Sequence, residues 1–360
     1  MAIHRIAVLP GDGIGPEVVN EAVKVLGILK NLDPNFDLEF ETFDWGSEYY
    51  LQHGKMMPEN SLETLKRYDA ILFGAIGDKR VPDDVTVWEL IMPIRKQFRQ
   101  YINLRPVKML KGVPSRFVGE DIDFVIVREN AEGEYSNSGG RLYPGLEEEV
   151  AVQNTIITRT GTAKAAKFAF EYAKKHGKKS VTSATKSNAI IHSMKLWDEA
   201  VRTAAEEYPS ISLDSYYIDA LAAYFVARPA DFEVVVASNL FGDILSDLGS
   251  AVVGGLGLSP SANLNPEGDF PSMFEPVHGS APDIAGQGMA NPIAQIWSAA
   301  LMLEHLGRAD LAEAIIEAVE QVLLEGAVRT PDLGGTSTTS EMGSAISEAL
   351  QQKLLVKEGL

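Results

Sequence analysis

FEVVVASNLFGDILSDLGS, residues 232–250, decides how this chain folds and where its chemistry lies. The apolar run FEVVVAS has the composition of a buried strand. Asp243 and Asp247 follow it four residues apart, so a helix places them on one face about one turn apart. Like charges in that position repel, and a divalent cation such as Mg²⁺ or Mn²⁺ would offset the repulsion. The flanking residues are mostly apolar, which disfavours two solvated surface carboxylates.

Apolar, β-rich runs alternate with helical patterns outward from this stretch. The strand candidates are 6–9, 70–76, 124–127, 180–185, 215–218 and 232–238, and the helical patterns include 16–30, 161–177 and 192–207. Continuous apolar strands between helices are typical of a largely parallel sheet covered on both faces, so the predicted fold class is α/β. Residues 135–156 break the pattern and predict a hairpin or arm that packs elsewhere, for instance on another subunit.

Composition excludes several classes of protein. The 360 residues are typical of about two domains. The net charge of −18 excludes an overall basic surface for nucleic acid. The chain has no cysteine, which excludes disulfides, zinc-thiolate sites and thiol nucleophiles. No signal segment is evident, and no apolar run approaches the ~18 residues of a membrane span. We therefore predict a cytoplasmic protein without membrane or nucleic-acid partners.

Ionic residues follow several of the predicted strands. Arg128 and Glu129 come directly after FVIV, Lys186 follows SVTSAT, Asp219 follows SYYI, and Asp243 lies five residues beyond FEVVVAS. In open α/β sheets, ligands bind outside the carboxyl ends of strands. These side chains are therefore expected to share one site, although solvation of loop charges is the simpler alternative.

Arginines form a second candidate cluster. Arg95 and Arg99 are four residues apart on a predicted helix, Arg105 follows in NLRPV, and Arg128 is expected at the same edge. Guanidinium groups bind carboxylates in a bidentate manner. Arginines beside paired aspartates suit a metal-chelating polycarboxylate.

Tyr135 and Lys186 are the candidates for proton transfer. Both side chains normally titrate near pH 10. Nearby cations lower the pKa of a lysine toward the range that a general base needs. Taken singly, a packed tyrosine or a solvated lysine would be the simpler interpretation.

Two glycine-rich loops are candidates for cofactor binding. GDGIGPE (11–17) lies between a strand and a helix, but it is not GxGxxG and is weak evidence for a dinucleotide. PVHGSAPDIAGQG (276–288) is the better candidate, because it offers small residues, His278, and the carboxylate of Asp283 for ribose hydroxyls. A long surface loop is an equally good reading of the second segment.

Six motifs occur in the order found in the β-decarboxylating dehydrogenases: GDGIGPE, NLRP, VRENAEGEY, TSATKSN, NLFGDILSDLGS and EPVHGSAPDIAG. The chain resembles this family of isopropylmalate, isocitrate and tartrate/D-malate dehydrogenases from Ile6 to beyond Thr336. DWGSEYYLQHGKMMPE (44–59), RENAEGEYS and VTSATKSN are most similar to the tartrate/D-malate branch.

The resemblance implies an isopropylmalate/isocitrate dehydrogenase-like two-domain fold that is not a Rossmann fold. Residues 1–100 plus 256–360 would form a large NAD-binding domain, and residues 101–255 a small domain. An arm at 137–157 would lie at the dimer interface. The resemblance also implies a homodimer with shared active sites, in which Lys186, Asn188 and Asp219 reach the partner's site.

The resemblance further implies a role for each site residue. The substrate-binding residues would be Arg95, Arg105 and Arg128; the catalytic residues Tyr135 and Lys186; the metal ligands Asp219, Asp243 and Asp247; and the cofactor-binding residues Ile14, Asn188, Glu275, His278, Gly279, Ala281, Asp283 and Asn291. Lys186 would remove the proton of the substrate hydroxyl, and Tyr135 would return a proton to carbon after loss of CO₂. The cofactors would be NAD and Mg²⁺ or Mn²⁺, and a monovalent cation is left open. NADP is disfavoured because Asp283 would repel a 2′-phosphate.

The segment 88–106, WELIMPIRKQFRQYINLRP, departs from the tartrate/D-malate pattern. Glu89 stands where a glycine is expected, Arg99 where an acidic residue is usual, and the preceding loop GDKRVPDD also differs. Pro93 would cost about 3 kcal/mol inside a helix, so the helix either begins near it or is kinked there. These departures surround the part of the pocket that contacts the variable group of the substrate.

The leading hypothesis is oxidative decarboxylation of D-malate, a small dicarboxylate 2-hydroxy acid, to pyruvate and CO₂, with oxidation of tartrate as well. The alternative within the family is 3-isopropylmalate dehydrogenase, whose substrate needs an apolar pocket that Ile91 and Met92 could supply but Trp88 and Glu89 disfavour. A Mg-dependent phosphotransferase is a remote alternative, because no GxxxxGK[ST] motif is present. An inactive metal-binding or scaffold protein is disfavoured by the full set of proton-transfer residues.

Overall fold

The computed structural model describes residues 2–32, 36–114, 117 and 121–357. They divide into two compact units. The first unit comprises Met1–Gln100, Met109–Val118 and Val253–Leu360, and the second comprises Tyr101–Lys108 and Gly119–Val252.

The secondary structure of the described residues alternates between strands and helices. The strands are β1 (Ala2–Gly11), β2 (Phe36–Thr42), β3 (Ala70–Ala75), β4 (Ile102–Lys108), β5 (Asp123–Glu129), β6 (Gly139–Leu142), β7 (Val150–Gln153), β8 (Ser180–Thr185), β9 (Ser212–Tyr217), β10 (Val234–Ala237), β11 (Pro260–Leu264) and β12 (Ser272–Pro276). The α-helices are α1 (Gly15–Leu32), α2 (Ser47–His53), α3 (Ser61–Leu65), α4 (Asp83–Thr86), α5 (Met92–Gln97), α6 (Arg159–Lys175), α7 (Ser193–Ala205), α8 (Ile218–Ala227), α9 (Asn239–Val252), α10 (Ile293–His305), α11 (Ala309–Glu325) and α12 (Thr339–Lys357).

The described strands of the first unit follow the order β2-β1-β3-β12-β11. They pair in parallel except for β11 and β12, which are antiparallel. Helix α1 packs against α10 and α12. Its residues Val18, Ala22, Val25 and Leu29 are buried, as their helical spacing predicts. Burial of this apolar face holds α1 in place directly after the glycine-rich loop 11–15.

The described strands of the second unit follow the order β4-β5-β10-β8-β9. Strands β5, β10, β8 and β9 are parallel, and β4 pairs with β5 in the antiparallel direction. Helices α6 and α9 pack on β5 and β10. The carboxyl ends of the four parallel strands therefore lie at one edge, and the helix α9 of the quoted stretch begins there.

A two-stranded hairpin projects from the second unit at the predicted arm. Strands β6 and β7 pair from Gly139 opposite Gln153 to Leu142 opposite Val150, and every residue of both strands is exposed. At the root of the arm, Gly133 N donates to Ile156 O (2.7 Å) and Ile156 N donates to Gly133 O (3.3 Å). The two ends of the arm are thus closed on each other.

The described residues 109–114 and 117 fall in the first unit, whereas the sequence-based boundary grouped them with the small domain. Lys111 Nζ lies 2.9 Å from Glu320 Oε2 in α11. Gly112 packs so closely on the backbone of Leu323 that a Cβ would come within 2.4 Å of it. These contacts with α11 explain the position of the segment.

The helix expected to carry both Arg95 and Arg99 is shorter than the sequence suggested. A π-helical turn, Val87–Ile91, precedes α5, and α5 ends at Gln97. Arg99 lies beyond it with φ = +47° and forms an ion pair with Asp269. The prediction that one helix carries both Arg95 and Arg99 is therefore wrong.

Among the described residues, no helix combines the length and the apolar character needed to cross a membrane.

Candidate functional site

An aspartate held by two arginines forms the centre of the site in the second unit. Arg128 Nη1 lies 2.5 Å from Asp243 Oδ1, and Arg105 Nη1 lies 3.2 Å from the same oxygen. The side chains of Arg105 and Arg128 are 8% and 3% exposed, whereas that of Asp243 is 35% exposed. The carboxylate therefore compensates two buried charges and still faces solvent on one side.

Neutral side chains fix the orientation of both guanidinium groups. Asn239 Oδ1 accepts hydrogen bonds from Arg128 Nη2 (2.7 Å) and Nε (3.1 Å). Arg105 donates to Asn103 and Ser246. Sequence reasoning missed these three residues. One signal was available for Asn239 and Ser246, since both lie within one helical turn of the first aspartate in the quoted stretch.

Tyr135 completes this arrangement. Its hydroxyl donates to Asp243 Oδ2 at 3.0 Å, and the Arg128 guanidinium lies 5.5 Å from the centre of its ring. Burial, followed by the charge of Asp243, raises the pKa of Tyr135 above its usual value, and the two arginines oppose the rise. The hydroxyl is therefore protonated at neutral pH and can serve as a proton donor.

Asp247 lies one turn beyond Asp243 on α9, as predicted. Partial burial raises the pKa of Asp247, Arg105 opposes the rise, and repulsion from Asp243 adds to it. The two carboxylates therefore interact unfavourably, and a cation between them would relieve the repulsion.

Lys186 and Asp219 form a separate pair at the same edge of the second unit. Lys186 follows β8, Asp219 lies in the first turn of α8, and the Lys186 ammonium donates to the Asp219 carboxylate. This hydrogen bond holds the pKa of Asp219 below its usual value. Asn188, in the turn after Lys186, is exposed.

The strands next to Lys186 and Arg128 are not neighbours, because β10 lies between β8 and β5. Helix α8, which carries Asp219, packs against α9, which carries Asp243. Within the part of the chain that the structure describes, no group of three acidic or histidine side chains is placed to hold a metal ion. The predicted ligands Asp219, Asp243 and Asp247 of one chain are thus not assembled into a complete metal site.

In the first unit, Arg95 is anchored to Glu275. Arg95 Nη2 donates to Glu275 Oε1 at 2.6 Å, and Asn263 Nδ2 donates to the same oxygen at 2.6 Å. Arg95 Nε is buried and has no hydrogen-bond partner among the described residues. This nitrogen is a donor that an anionic ligand could use.

The two predicted cofactor loops pack against each other in the first unit. Ile14 N donates to Ser280 O at 2.9 Å, and Ile14 packs on Val18 and Ala290. Gly13 has φ = +60°, and a Cβ there would come within 2.0 Å of Ser280 O. Only glycine permits this approach of the two loops.

The loop 276–288 offers groups suited to a nucleotide. His278 Nδ1 contacts Gly279 O at 2.9 Å, and its Nε2 is buried without a partner among the described residues. Burial lowers the pKa of His278, so the ring is neutral at pH 7. Ala281 adopts φ = +41°, which exposes backbone groups of the loop in a turn. Asn291 donates to Asp332 at 3.0 Å.

Asp283 points outward from this loop. Its side chain is 85% exposed, and Lys79 Nζ lies 2.7 Å from its Oδ1. The hydrogen bond from Lys79 holds the pKa of Asp283 below its usual value. Sequence reasoning assigned Asp283 to the ribose but did not foresee the lysine beside it.

Comparison with known proteins identifies the family. The family model described as isocitrate/isopropylmalate dehydrogenase matches residues 5–346. The chain belongs to this family. It is therefore a dehydrogenase, and both the recognition of the family and the predicted fold class are confirmed.

Curated members of the isocitrate/isopropylmalate dehydrogenase family are similar over almost the whole chain. A tartrate dehydrogenase/decarboxylase of Pseudomonas putida is 53% identical over 358 residues, which cover 96% of this chain and 97% of that protein. A D-malate dehydrogenase [decarboxylating] of Escherichia coli (strain K12) is 50% identical over 360 residues, covering 97% and 99%. A probable tartrate dehydrogenase/decarboxylase of Bacillus subtilis (strain 168) is 50% identical over 354 residues, covering 98% and 99%.

A solved structure from the same family has the same fold. The crystal structure of isocitrate dehydrogenase from Methylococcus capsulatus matches with a TM-score of 0.89 and 36% sequence identity. The match covers 97% of this chain and 100% of that chain.

Proposed function

We propose that this chain catalyses the NAD-dependent oxidative decarboxylation of D-malate to pyruvate and CO₂, and that it also oxidises tartrate. One observation carries the proposal: relatives with these two activities in their names are about half identical to this chain from end to end. The isocitrate dehydrogenase of known structure is only 36% identical over a similar length.

The arginines would bind the substrate carboxylates. Arg105 and Arg128 are buried and held by asparagine and serine side chains, so their guanidinium groups are oriented before a substrate arrives. Arg95 has an unpartnered Nε and is fixed by Glu275. Two carboxylates on a small 2-hydroxy acid would match these donors.

The carboxylates fit a hard divalent cation, Mg²⁺ or Mn²⁺. Asp243 and Asp247 of one protomer and Asp219 of the partner subunit would hold it. All three supply oxygen donors, and the unfavourable interaction of Asp243 with Asp247 is the one that a cation would relieve. When bound, the ion would polarise the substrate hydroxyl and stabilise negative charge on its oxygen.

Two side chains would move protons. Lys186 of the partner subunit would take the proton of the substrate hydroxyl. Tyr135, kept protonated by burial and by Asp243, would donate a proton to the carbon that has lost CO₂. The other product is NADH, so the overall reaction is D-malate plus NAD⁺ to pyruvate, CO₂ and NADH.

A homodimer with shared sites would complete the cation site, because the described residues of one chain do not assemble three acidic ligands by themselves. The arm would supply part of the interface, because it carries apolar side chains that one chain leaves exposed. These are Leu142, Tyr143, Leu146, Val150 and Val152. Exposed apolar side chains so concentrated on a hairpin are typical of a protein–protein contact.

The alternative substrate, 3-isopropylmalate, lacks support from the residues that were expected to favour it. Ile91 and Met92 are buried, and Ile91 belongs to the apolar core of the first unit. Glu89 is exposed. The observed positions therefore add no apolar surface for a bulky side group.

The test is a comparison of kcat/KM for D-malate, L-tartrate and 3-isopropylmalate with NAD and Mn²⁺, followed by NADH absorbance. We expect D-malate to have the highest value and EDTA to abolish turnover. A tenfold advantage for isopropylmalate would replace the proposed substrate. Full turnover in EDTA would remove the metal from the mechanism, and absence of NADH with all three acids would contradict the proposal as a whole.

A further inference from the structure

The turn that follows β3 is tethered to the glycine-rich loop 11–17. Gly77 N donates to Asp12 Oδ2 at 2.9 Å. Arg80 Nη2 lies 2.7 Å from Asp78 Oδ2, and Val81 N donates to Asp78 O at 2.9 Å. Contacts on both sides of position 79 therefore restrict where its side chain can reach.

Lys79 extends from this turn to Asp283. The Nζ–Oδ1 distance is 2.7 Å, and both side chains are largely exposed, by 74% and 85%. Other charged groups on the turn, Asp78 and Arg80, already pair with each other. The carboxylate assigned to the ribose is thus part of a neutral ion pair.

The net charge of the Lys79–Asp283 pair determines how strongly the carboxylate can discriminate between NAD and NADP. An isolated carboxylate accepts hydrogen bonds from the two ribose hydroxyls of NAD and repels the 2′-phosphate of NADP. A lysine beside it cancels the repulsion and offers a donor to phosphate. Since Lys79 occupies only one carboxylate oxygen, Oδ2 is left for a ribose hydroxyl.

We propose that Lys79 sets the coenzyme selectivity of this chain, by pairing with Asp283 and thereby weakening discrimination against a 2′-phosphate. The inference rests on the proposed NAD-dependent function. Lys79 lies in GDKRVPDD, the loop expected from the sequence to differ from the tartrate/D-malate pattern.

Equilibrium binding to the full-length protein tests the proposal without turnover. The probes are NAD and NADP, together with 5′-AMP and adenosine 2′,5′-bisphosphate, which differ from each other only in the 2′-phosphate. In Lys79→Gln, the ratio of Kd for NADP to Kd for NAD should rise about fivefold, the scale of an exposed ion pair. The AMP pair should change in parallel, and 0.5 M KCl should reduce the effect.

Lys55→Gln is the matched control. Lys55 pairs with Glu59 at 2.5 Å on the exposed surface of the same unit, so its loss should leave both ratios unchanged. The role of Lys79 would be overturned if the ratio of Kd for NADP to Kd for NAD in Lys79→Gln stayed within twofold of wild type, or if it rose equally in Lys55→Gln. Neither result would affect the proposed cofactor. Failure of the wild-type protein to bind either dinucleotide would overturn the proposed cofactor as well. Binding without oxidation of D-malate would contradict only the proposed substrate.

Discussion

Asn239 is a neutral residue that fixes the orientation of the charged Arg128. Arg128 is almost fully buried, and a buried guanidinium is tolerated only where its N–H groups have partners. Asn239 supplies two of these hydrogen bonds through one oxygen. We expect this asparagine to determine the orientation of the Arg128 guanidinium group.

Asn239→Ala should weaken substrate binding more than it weakens the fold. Loss of hydrogen bonds to a charged group costs about 1.5–3 kcal/mol, and the freed guanidinium would also lean toward Asp243. KM for D-malate should rise about tenfold or more. Steady-state kinetics and thermal unfolding of the same preparation measure the two effects.

Asn265→Ala is the matched control for that variant. Asn265 is also buried, and it donates to Phe98 O and accepts from Gly268 N in the first unit. It should lower Tm to a similar extent and leave KM unchanged. An unchanged KM in Asn239→Ala would contradict the positioning role.

Glu129 predicts a dependence of stability on pH. Burial raises its pKa to about 7, although the amides of Ala131 and Glu132 donate to its carboxylate and oppose the rise. The unfolded value is about 4.3. A raised pKa means that stability present below pH ~4.3 is lost as pH rises through ~7, by up to about 4 kcal/mol.

Thermal unfolding of wild type and Glu129→Gln at pH 5 and pH 8 measures this loss. The variant cannot ionise, so its Tm relative to wild type should be higher at pH 8 than at pH 5. Equal differences at the two pH values would show that the buried carboxyl does not ionise in this range.

The site could be anticipated from the sequence only in part. Charged residues at strand ends were visible because charge is unusual beside apolar runs, and the structure brings Arg105, Arg128, Tyr135 and Asp243 together. The role of Asn103 could not be predicted, because asparagine is common in loops and on surfaces and gives no signal of its own. The roles given to these residues stay predictions.

At the scale of elements, the segment around Pro93 shows which features of a helix depend on local sequence and which depend on tertiary contacts. Proline lacks an N–H and suits the first turn of a helix, and α5 begins next to it as one of the two predicted possibilities. The π-helical turn just before it, closed by Met92 N donating to Val87 O, was not predictable. Its extra residue has no local sequence signal.

The end of α5 depends on contacts from distant residues. Asn265 Nδ2 donates to Phe98 O at 3.0 Å, and Gln100 Nε2 donates to Pro271 O at 2.9 Å. These bonds hold the chain in a turn, so Arg99 cannot continue the helix that contains Arg95. A pattern four residues long could not reveal partners that lie more than 160 residues away.

The strand pattern of each unit was only partly foreseeable. Most of the predicted parallel strands are present because their apolar runs are buried, whereas β9 is largely exposed and is present through its pairing with β8. The antiparallel pairs β4–β5 and β11–β12 were not predicted. The direction of a strand depends on the path of the connection that leads the chain back to the sheet. The composition of the strand does not predict that path.

At the scale of the whole molecule, shared sites predict that two inactive variants restore each other. Lys186→Ala and Asp243→Ala should each lack turnover as pure homodimers. In a mixed dimer, one site receives both wild-type residues and the other receives neither. Random assortment makes half of the dimers mixed, so the unfractionated mixture should recover about a quarter of wild-type activity and the isolated mixed dimer about half.

Coexpression of the two variants with different affinity tags, followed by tandem purification, isolates the mixed dimer for this measurement. Coexpression of Lys186→Ala with Tyr135→Phe is a second pairing that should behave in the same way. Mixed dimers that remain inactive would place Lys186 and Asp243 in the same site of one protomer.

The closed root of the arm has a consequence for how this chain can diverge. Because Gly133 and Ile156 bond to each other, residues 134–155 leave and return at one point of the second unit. Insertions or deletions at the hairpin tip need not shift the helix α6 that follows, and loop length costs little free energy when the ends are already joined. Evolution can therefore change the surface proposed to contact a second subunit without rebuilding the fold beneath.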